Sequence, residues 1–516
     1  MEDTQFSAGP APHPLWVVPH WGHESPRRVQ PASSIRPGPH VWSFMKPAGK
    51  AVVALIACCI AQFVLTVNGS IVSIVLPDIA KEFGSSMTML QWTVGVYVLA
   101  FACLLTAAGN MADRLGRRRI LLAGLAVILI GSVVCALSPD VVVLIVGRVV
   151  QAVGAAMLAS SGLAAVSARS TDTAVRVRAI AWWAAIGGVA LAAGPFIGGV
   201  VSEFFGWRGV FWMSVPVALI GLALVPIAVK ESRNPSPLPF DVVGQLLVSG
   251  FLAALAFAMI EGTQLGWTSA PILISLGAAA VLLIVWLLRA RRRPDPLIPL
   301  RLFADRPFVR ASLTSIIGFA AAAGFFYIAP QYLRSIRGES ALEAGIFLLP
   351  LAIAALVSAQ LSGRIVAAGR AGQDLVAGGG IMALGSVMLL LWSDGSLWVE
   401  AASFVVFGFG YGLLNDPLSV EELAALPDSE AGLASSLFST SKQTGQLLGI
   451  AVVGTILSAA SADFANAYRH VGGWVWMALL VCSIAVAALN IPSLGTRTKT
   501  AQARTTTAPD NRPRTS

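Results

Sequence analysis

Residues 109–119, GNMADRLGRRR, form a short charged stretch between two long apolar runs. Arginines are expensive to place in hydrocarbon, so the stretch separates two membrane-spanning segments. Short loops rich in arginine stay on the cytoplasmic side of a membrane. The stretch therefore predicts a membrane protein and fixes the direction in which its apolar segments run.

The composition of the whole chain agrees with a membrane protein. Of its 516 residues, 56% are hydrophobic and 12% are charged, whereas a soluble domain carries roughly a quarter charged residues. The formal net charge of +9 is scattered over short loops, which argues against nucleic acid as a partner. The five cysteines lie in apolar runs and the five histidines lie outside them, so no metal site, cofactor or enzyme is predicted.

A helix needs about 20 apolar residues to cross a bilayer. By this rule the chain contains fourteen spans, numbered here in order: 51–76, 91–111, 120–138, 141–165, 179–201, 210–229, 243–261, 271–289, 311–333, 344–367, 374–392, 397–419, 432–459 and 474–492.

The spans and their flanks divide the chain into five parts. We expect a disordered extension at 1–46, a six-helix bundle at 47–232, two inserted helices with a linker at 233–310, a second bundle at 311–492 and a disordered tail at 493–516. Met45 directly precedes the first span, which favours it as the start of translation.

The distribution of Lys and Arg predicts the orientation of the spans. With both termini in the cytoplasm, the cytoplasmic loops carry 18 basic residues and the external loops carry 5. Basic residues are concentrated in cytoplasmic loops. We therefore expect a multi-pass protein of the cell membrane with both ends inside.

The 109–119 loop also matches a known pattern, G-x-x-x-D-R-x-G-R-[RK]. It resembles the loop between helices 2 and 3 of the major facilitator superfamily, where it acts as a conformational latch on the cytoplasmic side. A positive loop alone would not require this glycine and aspartate spacing. The resemblance assigns that role to Gly109, Asp113, Arg114, Gly116, Arg117 and Arg118.

Spans 4 and 5 carry two further motifs of this superfamily. In span 4, Arg148 and Gln151 stand in a sequence similar to the family's second motif, which implies proton coupling by Arg148. The alternative is a structural arginine that binds backbone carbonyls. Span 5 resembles the antiporter signature, and its central Gly-Pro favours this match over generic close packing of helices. The residues of this signature are Gly187, Gly194, Pro195, Gly198 and Gly199.

Span 1 departs from the pattern of the fourteen-span drug/proton antiporters. Residues 67–77, VNGSIVSIVLP, resemble L-D-x-T-x-x-N-x-x-L-P, but Asn68 replaces the acid and Ser73 replaces the asparagine. Asn68 can neither carry a proton nor balance the charge of Arg148. Proton coupling therefore lies elsewhere in the chain, or transport is coupled differently.

Span 12 supplies the replacement acid that we predict. Asp416 precedes Pro417, and Lys442 of span 13 enters from the same side of the membrane. We expect Asp416 to bind a proton and Lys442 to be its partner; a role at a helix end is the alternative. The candidates for the substrate path are Asn68, Ser73, Gln151 and Asn415.

These observations predict an all-α major facilitator fold with 14 transmembrane helices. The resemblance implies proton-coupled efflux of lipophilic drugs or antibiotics by alternating access. The expected partners are the lipid bilayer, a small-molecule substrate and protons, with the protein acting as a monomer. Two alternatives stay open: an exporter of a single native metabolite, and a non-transporting sensor or scaffold.

Overall fold

The computed structural model describes residues 49–167, 173–234, 240–293, 298–392, 396–424, 431–460 and 464–494. The predicted disordered extension and Met45 lie outside these ranges. The predicted tail also lies outside them, except for Leu494 and for Ser493, which ends a 3-10 helix, Ile491–Ser493.

The described residues form sixteen α-helices and contain no strand. They are α1 Gly49–Ser70, α2 Leu76–Phe83, α3 Met87–Leu115, α4 Arg117–Ala136, α5 Val141–Ser167, α6 Thr173–Trp212, α7 Ser214–Ala228, α8 Val242–Leu265, α9 Ala270–Arg292, α10 Arg306–Ser335, α11 Ala341–Ala367, α12 Ala371–Trp392, α13 Leu397–Gly412, α14 Asn415–Ala424, α15 Ala431–Ser458 and α16 Phe464–Asn490.

Eleven helical stretches in the described part of the chain are long and apolar enough to cross a membrane. A twelfth is obtained when Ala193–Trp212 and Ser214–Ala228, which are bent by 42° at their junction, count as one span. The prediction of an all-α membrane protein is thus confirmed. The count of fourteen spans stays a prediction.

Two predicted spans are broken helices. A 3-10 helix, Ile71–Val75, separates α1 from α2 in span 1. In span 12, Leu413 and Leu414 separate α13 from α14, and Pro417 occupies the first turn of α14. Proline is tolerated in a first turn because its missing N–H has no partner there in any helix. The break therefore places Asp416 at the start of a new helix.

The helices pack as two groups with a hairpin beside them. The first group contains α1 to α7, and the second contains α10 to α16. Helix α6 packs on α11, and α3 packs on α15, so these pairs join the groups. The hairpin α8–α9 lies against α3 and α15 through α8.

Asp241 holds the hairpin together at its start. Its carboxylate accepts hydrogen bonds from the Gly244 N–H at 3.0 Å, Arg289 at 3.1 Å and Arg293 at 3.0 Å. Burial opposes ionisation of Asp241, but these donors prevail and lower its pKa.

The two groups touch at the end opposite residues 109–119. Arg334 of α10 forms an ion pair with Asp78 of α2, and it also donates to the Ile74 carbonyl at 3.1 Å. Beside this pair, Gly345 of α11 lies against α6: a Cβ added to it would be 3.0 Å from the Phe196 Cα. Glycine is needed where two helix backbones approach this closely.

We predict that Gly345→Leu destabilises the protein by separating α6 from α11. A side chain too large for a packed interface costs typically 1–3 kcal/mol, about the range expected here. Gly277→Leu is the matched control, because a Cβ at this exposed position of α9 meets nothing within 4 Å. Thermal unfolding in detergent measures both variants. Equal melting temperatures would contradict the close approach.

Candidate functional site

Arg148 lies at the centre of a buried polar cluster in the first helix group. Its side chain is 0% exposed. The guanidinium donates to the Thr93 carbonyl at 3.1 Å, the Asn68 carbonyl at 2.9 Å and the Gln151 amide oxygen at 2.8 Å. It also lies over the Tyr97 ring, 4.3 Å from the centroid. Three helices, α1, α3 and α5, thus supply its environment.

Gln151 connects Arg148 to Asn68. Its amide nitrogen donates to the Asn68 Oδ1 at 3.0 Å and to the Ser132 hydroxyl at 2.9 Å. Asn68 in turn donates to the Ser214 hydroxyl at 3.0 Å and to the Val64 carbonyl at 2.8 Å. All four polar side chains, Asn68, Ser132, Gln151 and Ser214, are buried.

The acceptors that bind Arg148 are all neutral. They are two backbone carbonyls and one amide, with no carboxylate among its hydrogen-bond partners in the described chain. Arginine stays protonated in proteins. The cluster therefore holds a fixed positive charge. The carbonyl contacts expected of a structural arginine are present, and a role in proton coupling remains a prediction.

The other polar candidates lie apart from this cluster. Ser73 is in the 3-10 helix and donates to the Ser70 carbonyl at 3.0 Å. In the second group, Lys442 donates to the Asn415 Oδ1 at 3.1 Å and lies 4.8 Å from the Phe319 ring centroid. Lys442 thus binds the neighbour of Asp416 in this conformation. Asp416 itself lies in the first turn of α14, where the helix dipole favours a carboxylate.

The 109–119 loop contacts the segment that follows α7. Asp113 pairs with Arg117 at 3.1 Å, and the Arg118 N–H donates to Glu231 at 3.1 Å. Gly116 has φ +113°, and the Glu231 carboxylate fills the space where a side chain would start. Glycine is therefore required at this position. The sequence predicts a loop over 109–119, but residues 109–115 are the end of α3, α4 begins at Arg117, and Gly116 alone joins the two helices. Gly109 lies in α3 beside Ser160, and Arg114 lies in the last turn of α3.

The glycines of span 5 lie on two faces of α6. Gly187 and Gly194 face α1, where added Cβ atoms would collide with Gln62 and Ser70. Gly198 faces the 3-10 helix that follows α1, where a Cβ would collide with Ile71. Gly199 faces the Ala341 backbone of α11. Pro195 lies inside the helix. Helix α6 therefore packs closely on its own group and on the other one.

Three buried or paired acids were not singled out in the sequence. Asp374 of α12 is 1% exposed, Glu422 of α14 is 0% exposed, and Glu231 joins the 109–119 loop. Each stands near the end of an apolar run, where an acid is ordinary. Their surroundings depend on which helix faces them, which the spacing along the chain does not reveal.

Two helix groups joined through α6–α11 and α3–α15, with buried polar residues on broken or glycine-rich helices, define a polytopic transporter. The sequence model of the family described as Major Facilitator Superfamily matches residues 58–450 of the chain. The chain belongs to this superfamily. Its predicted membership is confirmed.

Related proteins align with about four-fifths of the chain. It is 34% identical to "Multidrug resistance protein Stp" of Mycobacterium tuberculosis over 79% of this chain and 76% of that protein. It is 33% identical to "Multidrug efflux pump LfrA" of Mycolicibacterium smegmatis (80% and 81%). It is 32% identical to "Methylenomycin A resistance protein" of Streptomyces coelicolor (80% and 87%).

Solved structures share the fold at low sequence identity. A peptide transporter POT in complex with sulfate superimposes with a TM-score of 0.64 at 16% identity, covering 88% of this chain and 96% of that one. A D-xylose–proton symporter gives 0.61 at 14% identity, covering 87% and 99%. These likenesses establish the fold.

We predict that Arg148→Met destabilises the first helix group. The change leaves two carbonyls and the Gln151 amide oxygen without their donor, and each unpaired buried acceptor costs about 1–3 kcal/mol. Arg292→Met, at an exposed position near the end of α9, is the control. Thermal unfolding in detergent compares the two. A melting temperature unchanged by Arg148→Met would contradict the structural part of its role.

Proposed function

We propose that the protein is a drug efflux transporter that works by alternating access. The observation that carries the proposal is the similarity to multidrug and antibiotic resistance proteins over about 80% of the chain. Lipophilic drugs or antibiotics are the proposed substrate class. We also propose that it works as a monomer.

The contact between the two helix groups supports alternating access. Arg334, Asp78 and the α6–α11 crossing join the groups at the end opposite residues 109–119. The charge bias assigns the 109–119 end to the cytoplasm, with both termini, and the joined end to the exterior. The conformation then has its external side closed. Transport requires these contacts to open while the cytoplasmic ends approach.

The fourteen spans are part of the proposal. Each predicted span overlaps a helix. Eleven spans are recognised by length and composition, and the bent pair that includes α7 supplies span 210–229 as the twelfth. We assign the remaining two, 179–201 and 432–459, to α6 and α15. The bundles 47–232 and 311–492 then correspond to the two packed groups. The hairpin α8–α9 corresponds to the inserted spans in 233–310.

The 109–119 loop acts as the conformational latch in this proposal. Its contacts with Glu231 and with the backbone of Ser232 and Asn234 lie within the chain that leads from α7 towards α8. In the externally closed conformation the loop is thus held by its own half. Approach of the cytoplasmic ends brings the same arginines towards the second half.

Proton coupling in this scheme resides in the second helix group. Asn68 has no ionisable group, and Arg148 keeps its charge through the cycle. Asp416 is an acid at the break between α13 and α14. Lys442 donates a hydrogen bond to Asn415, the residue that precedes Asp416. We assign proton binding to Asp416 and partial neutralisation of its site to Lys442. The polar groups of Asn68, Ser73, Gln151 and Asn415 are proposed contacts along the substrate path.

Transport into inverted membrane vesicles tests the function. A proton gradient should drive uptake of ethidium, and an uncoupler should abolish it. A panel of unrelated drugs distinguishes a multidrug pump from an exporter of a single metabolite. Absence of uptake for every compound, with or without a gradient, would favour a sensor or scaffold.

We predict that Asp416→Asn removes proton-driven uptake in these vesicles, because an amide cannot bind and release the proton. Glu203→Gln, at an exposed position of α6, should leave uptake unchanged. Uptake is measured before and after the uncoupler is added. Undiminished, uncoupler-sensitive uptake by Asp416→Asn would exclude Asp416 from the coupling mechanism.

A further inference from the structure

Asp374 is a buried carboxylic acid with little polar contact. It lies in the first turn of α12, with 1% of its side chain exposed. Its Oδ2 receives a hydrogen bond from the Ser362 hydroxyl of α11 at 2.5 Å. Its Oδ1 is buried and has no hydrogen-bond partner among the described residues. One neutral hydroxyl is therefore its side-chain partner.

A second acid faces the same place. Asp374 is bound by Ser362 of α11, and Asp416 of α14 lies against the next residue of the same helix, Gly363. A Cβ added to Gly363 of α11 would lie 3.4 Å from the Asp416 Oδ2, so this carboxylate also borders α11. Three elements of the second helix group, α11, α12 and α14, thus meet at two acids.

Among the described residues, neither acid forms an ion pair with the charged groups around it. Lys442 of α15 donates to Asn415, and Arg310 of α10 pairs with Glu421 of α14 at 3.4 Å. Glu422 of α14 is bound by the Ser315 hydroxyl of α10 at 2.6 Å. The basic residues flanking the α11–α12 turn, Arg364 and Arg370, are exposed. The 3-10 helix after α16 contributes the hydroxyl residue Ser493 near Gly372.

Two ionised carboxylates cannot be accommodated favourably in this position. Burying a carboxylate without a cation is strongly unfavourable, and a neighbouring carboxylate adds repulsion. A single proton held between the two acids removes most of both penalties. Pairs of close carboxylates titrate together for this reason.

We propose that Asp374 and Asp416 together bind the proton that drives transport, with Asp374 as the more deeply buried carrier. The inference rests on the proposed transport function and deepens it. When the proton leaves, the O–H bond breaks, the electron pair stays on the carboxylate oxygen, and water accepts the proton. The two acids are then both negative and repel each other.

Helix α11 connects this repulsion to the opposite end of the molecule. It carries Ser362 at the acid pair and Gly345 at the crossing with α6. Between them it packs tightly on α13: a Cβ on Gly408 would be 2.8 Å from the Leu351 Cγ, and one on Gly412 would be 2.9 Å from the Ala355 carbonyl carbon. A displacement at Ser362 therefore reaches the external contact along α11, which contains Pro350 between the two sites, and through its close packing on α13.

Purified protein in liposomes tests the inference, with ethidium as the probe because its charge does not change with pH. Two rates are compared: ethidium counterflow without a gradient, and ethidium accumulation in acid-loaded liposomes. Asp374→Asn resembles the protonated acid in shape and charge. The Asp374→Asn variant should show a counterflow rate within about twofold of that of the natural sequence. Its gradient-driven accumulation of ethidium should be lower by about tenfold or more. Glu203→Gln should match the natural sequence in both.

Ser362→Ala provides a second measurement. Loss of the hydroxyl partner should displace the pH profile of counterflow, whereas a merely structural role for Ser362 would leave its midpoint unchanged. An unchanged midpoint overturns the assignment. So does driven accumulation retained by Asp374→Asn, an equal loss of counterflow and accumulation, or accumulation that follows a sodium gradient instead of a proton gradient. Absence of counterflow in the natural sequence would instead refute the proposed transport function.

Discussion

The burial of Arg148 is the constraint on which the first helix group depends. A charged side chain inside an apolar bundle must be surrounded by groups that replace water. Here carbonyls of α1 and α3, the Gln151 amide and the Tyr97 ring perform this task. The same contacts fix three helices relative to one another. Arginine stays protonated in proteins, and its acceptors here are neutral, so the cluster carries a net positive charge.

A paired acid and arginine would provide both a buried polar centre and a proton-binding group at one place. Here the buried arginine lies in one helix group and the proposed proton-binding acids lie in the other. The first helix group holds a constant polar centre, built from Arg148, Gln151 and Asn68. The second group contains the buried Asp374, bound by the neutral Ser362 hydroxyl, and the half-buried Asp416. The glycine-rich crossing of α6 on α11 joins the two groups. Proton binding is therefore assigned to the second half of the protein. The proposed substrate contacts lie mainly in the first half, with Asn415 in the second.

Much of the fold could be predicted from the sequence, because membrane helices must be long and apolar. Gly116 and the arginines around it indicated a reversal of the chain in residues 109–119. Arg148 could be recognised as a functional candidate because arginine is rare in hydrocarbon. The helix breaks were less visible: Pro417 indicated one, whereas nothing in residues 71–75 marks the 3-10 helix. Asp374 was missed because acids are common where helices begin. Its burial depends on packing against α11, which is a long-range contact.

Distances between the ends of the two groups test the central claim of reciprocal movement. Spin labels at the exposed positions Lys81 and Arg469 report the external end, and labels at Arg119 and Arg370 report the cytoplasmic end. Double electron–electron resonance in lipid nanodiscs should show that ethidium at alkaline pH lengthens the external distance and shortens the cytoplasmic one. Both distances staying constant, or changing in the same direction, would contradict alternating access by these two helix groups.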